Sequence, residues 1–177
     1  EEYLLDHIDA PTLYLWQNDN TVVIGRHQNA WAECDLHALE DGGGRLARRL
    51  SGGGAVYHDM RNLNFTFLMP RALYDQTRQN AVLLRAVQAL GIRAEATGRN
   101  DLLAEGRKFS GHAFCFRERT AYHHGTLLLD TDVERMTRVL TVDASKLQSK
   151  AVASVRSRVV NLRELRPDLT VEMMAEA

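Results

Sequence analysis

Residues 48–65, RRLSGGGAVYHDMRNLNF, set three consecutive glycines between an arginine pair and a His-Asp step, then run directly into an alternating stretch. A glycine triplet is not tolerated inside a regular element, so the chain must break here into strand, loop and strand. The flanking segments RLARRL (45–50) and GAVYHD (54–59) have strand composition. In NLNFTFL (62–68), Leu63, Phe65 and Phe67 share one side and Asn62, Asn64 and Thr66 the other, a period of two that predicts a half-buried strand. In strands of this kind adjacent side chains diverge, so only one of Arg48 and Arg49 can share a site with the glycine loop. The loop itself reads either as a plain hairpin turn or as a backbone nest. In the nest, Gly52, Gly53 and Gly54 give a backbone that can take φ > 0 and turn several N–H groups toward a bound anion.

The rest of the chain alternates strand and helix without a regular βαβ beat, which predicts an α+β fold. TLYLWQ (12–17) and TVVIG (21–25) read as a hairpin about the turn-like NDN, and ECDLHALED (33–41) as a short helix ended by Gly42, Gly43 and Gly44. Residues 74–90 place Leu83, Ala86, Val87 and Leu90 on one helical stripe, with Gly91 at the C-terminal cap position. RKFSGHAFCF and YHHGTLLLD read as strands, DVERMTRVL as a helix, and RVVNLREL and the acidic end as short helical or mixed segments. The opening EEYLLDHI has a helical pattern.

A chain of 177 residues with 45% apolar content suits one domain, residues 1–177. Its 22 Lys and Arg nearly balance 23 Asp and Glu, so no global field favours a nucleic-acid or membrane partner. No run approaches the ~18 apolar residues of a membrane span. Cys34 and Cys115 form no C-x-x-C pair, which argues against a disulfide framework and a zinc site and makes a reducing, cytoplasmic setting the expectation.

Several chemistries are excluded by pattern. The chain contains neither G-x-x-x-x-G-K-[ST] nor G-x-G-x-x-G opening a helix, and it has no G-x-S-x-G elbow or Ser-His-Asp order. His123 and His124 are neighbours on a strand and face opposite sides, so they cannot chelate one metal; His58 and Asp59 diverge likewise. In GRNDLLAEGRKFSGHAF (98–114), Lys108 precedes the small residues Ser110 and Gly111, where a compact ammonium could stabilise negative oxygens. Taken alone, it reads first as a solvated surface lysine, and Asn100 and Asp101 as turn residues.

In order and spacing, RRLSGGGAVYHD, NLNFTF, GRNDLL, GRKFSGHAF, HHGTLLL and SVRSRVVNL resemble the catalytic domain of the lipoate-protein ligase family, from residue 1 to about 165. The resemblance implies the biotin/lipoate ligase fold, related to class II aminoacyl-tRNA synthetases: a mixed, largely antiparallel sheet flanked by helices. It implies ATP-dependent activation of lipoate to lipoyl-adenylate and transfer to a lysine of a lipoyl domain on a 2-oxoacid dehydrogenase E2 subunit or of the glycine-cleavage H protein. By resemblance, ATP and adenylate contacts fall to Arg49, Gly54, Ala55, Val56, Tyr57, Asn100 and Asp101, with Lys108 the central catalytic cation. Mg²⁺ accompanies ATP, with Asp101 as its ligand. The lipoate tail is implied to lie along Glu1, Trp16, Ser51, Gly52, Gly53, Gly54, His58, Tyr122 and His124, with Trp16 toward its far end.

Two departures qualify the match. Where the family usually has HD-x-GN, this chain has Arg61, and a left-handed turn there would strain an arginine by about 1 kcal/mol relative to glycine. The chain also lacks the strand and half-helix that precede EE in the family and the small C-terminal accessory domain, so the expectation is a truncated catalytic domain served by a separate accessory part. The rival readings are an octanoyl or lipoyl amidotransferase, which needs an activated cysteine near GRND, and a non-enzymatic module that binds lipoate or adenylate. Biotin ligase differs in its glycine-arginine loop.

Overall fold

A computed structural model describes residues 1–98, 100–140 and 158–177. The motif residues Arg99 and 154–157, within GRND and SVRSRVVNL, lie outside the described residues. The elements in chain order are α1 (Glu2–His7), β1 (Thr12–Trp16), β2 (Thr21–Ile24), α2 (Ala30–Glu33), α3 (Leu36–Asp41), β3 (Arg45–Arg48), β4 (Val56–His58) and β5 (Asn62–Pro70). There follow a 3-10 turn (Arg71–Leu73), α4 (Gln76–Ala89), β6 (Ala94–Thr97), β7 (Asp101–Ala104), β8 (Arg107–Phe116), β9 (Thr120–Leu128), α5 (Val133–Val139), α6 (Leu162–Leu165) and α7 (Val171–Glu176).

Six strands form an antiparallel sheet in the order β1-β5-β9-β8-β7-β6, and three form a smaller sheet, β3-β2-β4, in which β2 runs parallel to β3 and antiparallel to β4. This is the expected α+β architecture, with one correction: β1 and β2 are not a hairpin. β1 is an edge of the large sheet against β5, whereas β2 is the centre of the small one. The physical reason is burial. Every residue of β2 is buried, so it requires partners on both edges, which a hairpin at a sheet edge cannot supply. For the same reason β3 and β4 do not pair with each other, and the glycine loop crosses over β2 instead of closing a hairpin.

The large sheet has one face in a hydrophobic core and the other toward a cavity. Leu63, Phe65, Phe67 and Met69 of β5 pack with Leu83 and Val87 of α4, Phe109, Leu127 and the C-terminal Leu162, Leu169 and Met174. The predicted helical stripe on α4 is the one buried, and Gly91 follows it in the left-handed region at φ +80°. β5 departs from the half-buried reading: residues 62–69 are buried on both faces, because the small sheet roofs the polar side. A second core joins Val22, Ile24 and Tyr57 to Leu39 of α3 and Val139 of α5.

Two local expectations are also revised. The helix read over residues 33–41 starts at Leu36, because the Asp35 carboxylate accepts the Ala38 N–H as an N-cap and Cys34 is extended. Arg61 avoids strain: it is absent from the left-handed residues, its N–H donates to Asp59 Oδ1, and its guanidinium pairs with Asp59 and Asp132. Both cysteines are free thiols, and no helix among the described residues is long and apolar enough to cross a membrane.

Candidate active site

Register places five residues in one transverse row on the cavity face of the large sheet: Trp16 on β1, Asn64 on β5, Thr126 on β9, Gly111 on β8 and Asp101 on β7. The small sheet covers this row with Val23, Val56 and His58, and the half-open cavity between them has a volume of about 300 Å³. Its lining brings together most residues singled out from sequence: Glu1, Trp16, Arg49, Gly53, Gly54, Ala55, Val56, His58, Asn100, Asp101, Lys108 and His124.

Lys108 reaches this face through an irregularity. Strict alternation along β8 would put Lys108 with Ser110 and His112 on the core side. But Ser110 pairs with Leu102 and Lys108 with Leu103, leaving Phe109 as an extra residue that reverses the parity. Phe109 enters the core, and Lys108 turns over the row, where its Nζ pairs with Asp101 Oδ1 at 2.7 Å. Gly111 leaves room for it, since a Cβ there would come within 2.9 Å of Lys108 Cε and Nζ and displace the ammonium.

The glycine loop is held by Arg49. Its guanidinium donates to the carbonyls of Val23, Gly52 and Gly54 and to Ser51 Oγ, and among the described residues it makes no ion pair. Burial lowers its pKa, the sign of a desolvated cation. Arg48 diverges as expected, donating to the carbonyls of Gly25, Arg26 and Gln28. Gly53 sits at φ +92°, and a Cβ on Gly25 would collide with the Gly53 carbonyl, so the loop depends on close backbone approach at both positions.

At the other end of the row, polar groups form two largely buried chains, one neutral and one ending on the Glu1 carboxylate. In the first, Asn18 donates to His58 Nδ1 (3.2 Å), His58 Nε2 contacts Thr126 Oγ1 (2.9 Å), and Thr126 donates to Asn64 Oδ1 (2.8 Å). Because the Thr126 proton goes to Asn64, His58 must carry its proton on Nε2. Burial pushes its pKa down to about 3, so the ring is neutral. In the second, Trp16 Nε1 donates to Thr66 Oγ1 (3.0 Å), which donates to Glu1 Oε1 (2.7 Å), while His124 bridges Glu1 Oε1 and Ser51 Oγ at 2.7 Å each. Burial acts to raise the Glu1 pKa, but the bonds from His124 and Thr66 outweigh it and hold the carboxyl below its ordinary value. Ser51, His124 and Glu1 thus have triad-like spacing, yet Ser51 is 1% exposed, lies behind the lining, and accepts Arg49 Nε–H.

Four sequence candidates fall outside the lining. Ser51 supports it from behind, and Gly52 belongs to the loop without bordering the cavity. Tyr57 points its side chain into the small-sheet core, and Tyr122 packs against Leu5 and Leu68. Gly111, the small residue noted after Lys108, borders the cavity; Asn64 and Thr126 do so, and Thr66 holds Trp16 and Glu1, without having been singled out. The polar face of NLNFTF was the available signal for Asn64 and Thr66. His123 turns to the core as predicted, against Gln79 Oε1 at 2.8 Å and the rings of Phe65 and His112.

Comparison with known proteins follows this geometry. The model of the family described as lipoyl protein ligase A/B catalytic domain matches residues 1–177. Among solved structures, the chain is similar to a bipartite lipoate protein ligase from Thermoplasma acidophilum, described with its E2 lipoyl domain. The identity is 30%, covering 99% of this chain and 72% of that one, with a TM-score of 0.91. LipL1 of P. falciparum, in complex with lipoate, is 34% identical with a TM-score of 0.83; the match covers 96% of this chain and 48% of that one, about half its length. A lipoate-protein ligase A bound with ATP is 29% identical, covering 99% of this chain and 73% of that one, with a TM-score of 0.84.

Proposed function

The chain belongs to the lipoyl protein ligase A/B catalytic-domain family, and on that premise we propose that it is an ATP-dependent lipoate-protein ligase. In this reading a lipoate oxygen attacks the α-phosphorus of ATP, the bond to pyrophosphate breaks, and lipoyl-adenylate forms. The amine of an acceptor lysine then attacks the acyl carbon and AMP leaves. The acceptors are E2 lipoyl domains and the glycine-cleavage H protein, and the setting is the cytoplasm.

The observation that carries the reading is the transverse row, with a lysine ammonium above a side-chain-free position at one end and the Trp16 and Glu1 side of the same cavity at the other. Carboxylate and α-phosphate are both anionic and must approach to about 3–3.5 Å, so a cation fixed between them offsets their repulsion and orients the attack. Lys108 suits that place. Its resting partner Asp101 is easily exchanged, because both side chains are 41% exposed and such a pair contributes at most about 1 kcal/mol. Arg49 and the glycine loop lie against the same cavity and suit the phosphate.

Asp101 also fits Mg²⁺. Among the described residues no group of three acidic, histidine or cysteine side chains could cage a metal, and a lone carboxylate is what an ion held mainly by substrate phosphates requires. Bound there, Mg²⁺ would neutralise charge on the leaving pyrophosphate. Neither thiol borders the cavity, Cys34 lying in the small-sheet core and Cys115 beside Leu5, Leu68 and Tyr122, so nothing in the lining supports a thioester intermediate.

The test is to give the protein ATP, Mg²⁺ and lipoate, or preformed lipoyl-adenylate, and weigh an E2 lipoyl domain by mass spectrometry. A lipoyl mass increment from ATP and lipoate supports the full reaction. An increment from the adenylate alone assigns activation to a separate accessory part, and no increment from either refutes the reading. Trp16→Val should shift the preferred acyl chain to longer lengths; an unchanged preference would reverse the tail orientation.

A further inference from the structure

Asn64 is fully buried on the cavity row, directly across the strand pair from Trp16. The chain from Asn18 through His58 and Thr126 ends on its Oδ1, and its Nδ2 is a donor with no partner among the described residues. A buried donor without an acceptor costs about 1–3 kcal/mol, so such a group is retained where something else completes it.

We propose that Asn64 is the specificity-determining residue that favours a sulfur-bearing acyl tail over a plain alkyl tail of similar length. This rests on the ligase reading and deepens it. With the reacting carboxyl over Gly111, Asn64 lies two strands away, about 10 Å at the usual strand spacing. That is close to the carboxyl-to-sulfur length of an extended lipoyl chain. Asn64 borders the cavity while its nitrogen is shut off from solvent, so a tail reaches that nitrogen only with a small shift of the side chains around it. A dithiolane sulfur there is a weak acceptor and completes the amide. A terminal methyl covers the donor without bonding it. The fold already contains this type of bond, since Gln79 Nε2 donates to Met69 Sδ at 3.1 Å in the core.

The experiment measures kcat/KM for transfer from lipoyl-adenylate and octanoyl-adenylate to an E2 lipoyl domain, and binding of the two free acids by calorimetry, in the parent protein, Asn64→Leu and Asn64→Asp. The parent is expected to favour the lipoyl compound by about tenfold, as one buried hydrogen bond allows. Both variants lack the N–H donor and should bring the ratio to within about twofold, through loss with lipoyl rather than with octanoyl compounds. Asn64→Asp keeps the shape should Asn64→Leu fail to fold. A parent ratio near one, or a ratio unchanged in a folded variant, overturns the proposal. If neither adenylate labels the domain, the ligase reading fails, while the calorimetric ratio still decides the role of Asn64.

Discussion

The two ends of the row are built on opposite electrostatic plans. At one end Lys108 and Asp101 form a half-exposed pair on a bulged strand, free to exchange partners. At the other, Trp16, Thr66, Glu1, His58, Thr126 and Asn64 are locked in buried chains whose members fix one another's protons. The difference teaches that charge is kept exposed and exchangeable where bonds change, whereas polar groups, Glu1 included, are kept bonded to one another and rigid where a shape is read.

The contrast can be broken most severely at the charged end. Lys108→Ala should lower lipoyl transfer by about 10²–10³-fold with little change in Tm, as removal of a preorganised electrostatic donor does; near-parent turnover would remove Lys108 from the chemistry. At the rigid end the cost should appear as stability. Thr66→Val leaves the Trp16 N–H and the Glu1 carboxylate each short of a partner, an expected loss of about 1–3 kcal/mol in urea unfolding.

Gly111→Ala sharpens the comparison, because its new Cβ meets only the flexible end of Lys108. Activity should fall about tenfold while the unfolding free energy stays within about 0.5 kcal/mol of the parent. A change of pH acts on the rigid side of the comparison alone. Burial depresses the pKa of His58 to about 3, and of the core-facing His112 and His123 to about 4 and about 2. Since these folded-state values lie below the ordinary 6.5, the unfolded chain takes up protons first as pH falls. Stability present above pH 6.5 is therefore lost toward pH 4, at up to about 1.4 kcal/mol per pH unit for each ring. Urea unfolding at pH 7 and pH 5 measures it, and His58→Gln should reduce the slope; equal stabilities at the two pH values would mean these rings are not held neutral.

The same contrast marks what could be read in the chain itself. Strand periodicity located β5, β8 and β9 and separated Leu63 and Phe65 from Asn64 and Thr66, because side-chain alternation is a local property. It also separated Arg49 from Arg48 and His124 from His123. What alternation could not show is the extra residue Phe109, since a bulge is defined by the opposing strand; counted strictly, Lys108 points into the core. Nor could it show that the polar face of β5 is roofed, because the roof comes from β2 and β4, which join a different sheet from the one suggested by their neighbour β1. Gln79 meets His123 from a helix 44 positions away, a contact set only by packing.

The Arg49 guanidinium is held by the oxygens of its own loop and not by a carboxylate. An arriving anion therefore has no counterion to evict. A phosphate can therefore bind at Arg49 without breaking an ion pair, and the attraction it gains should weaken as ionic strength rises.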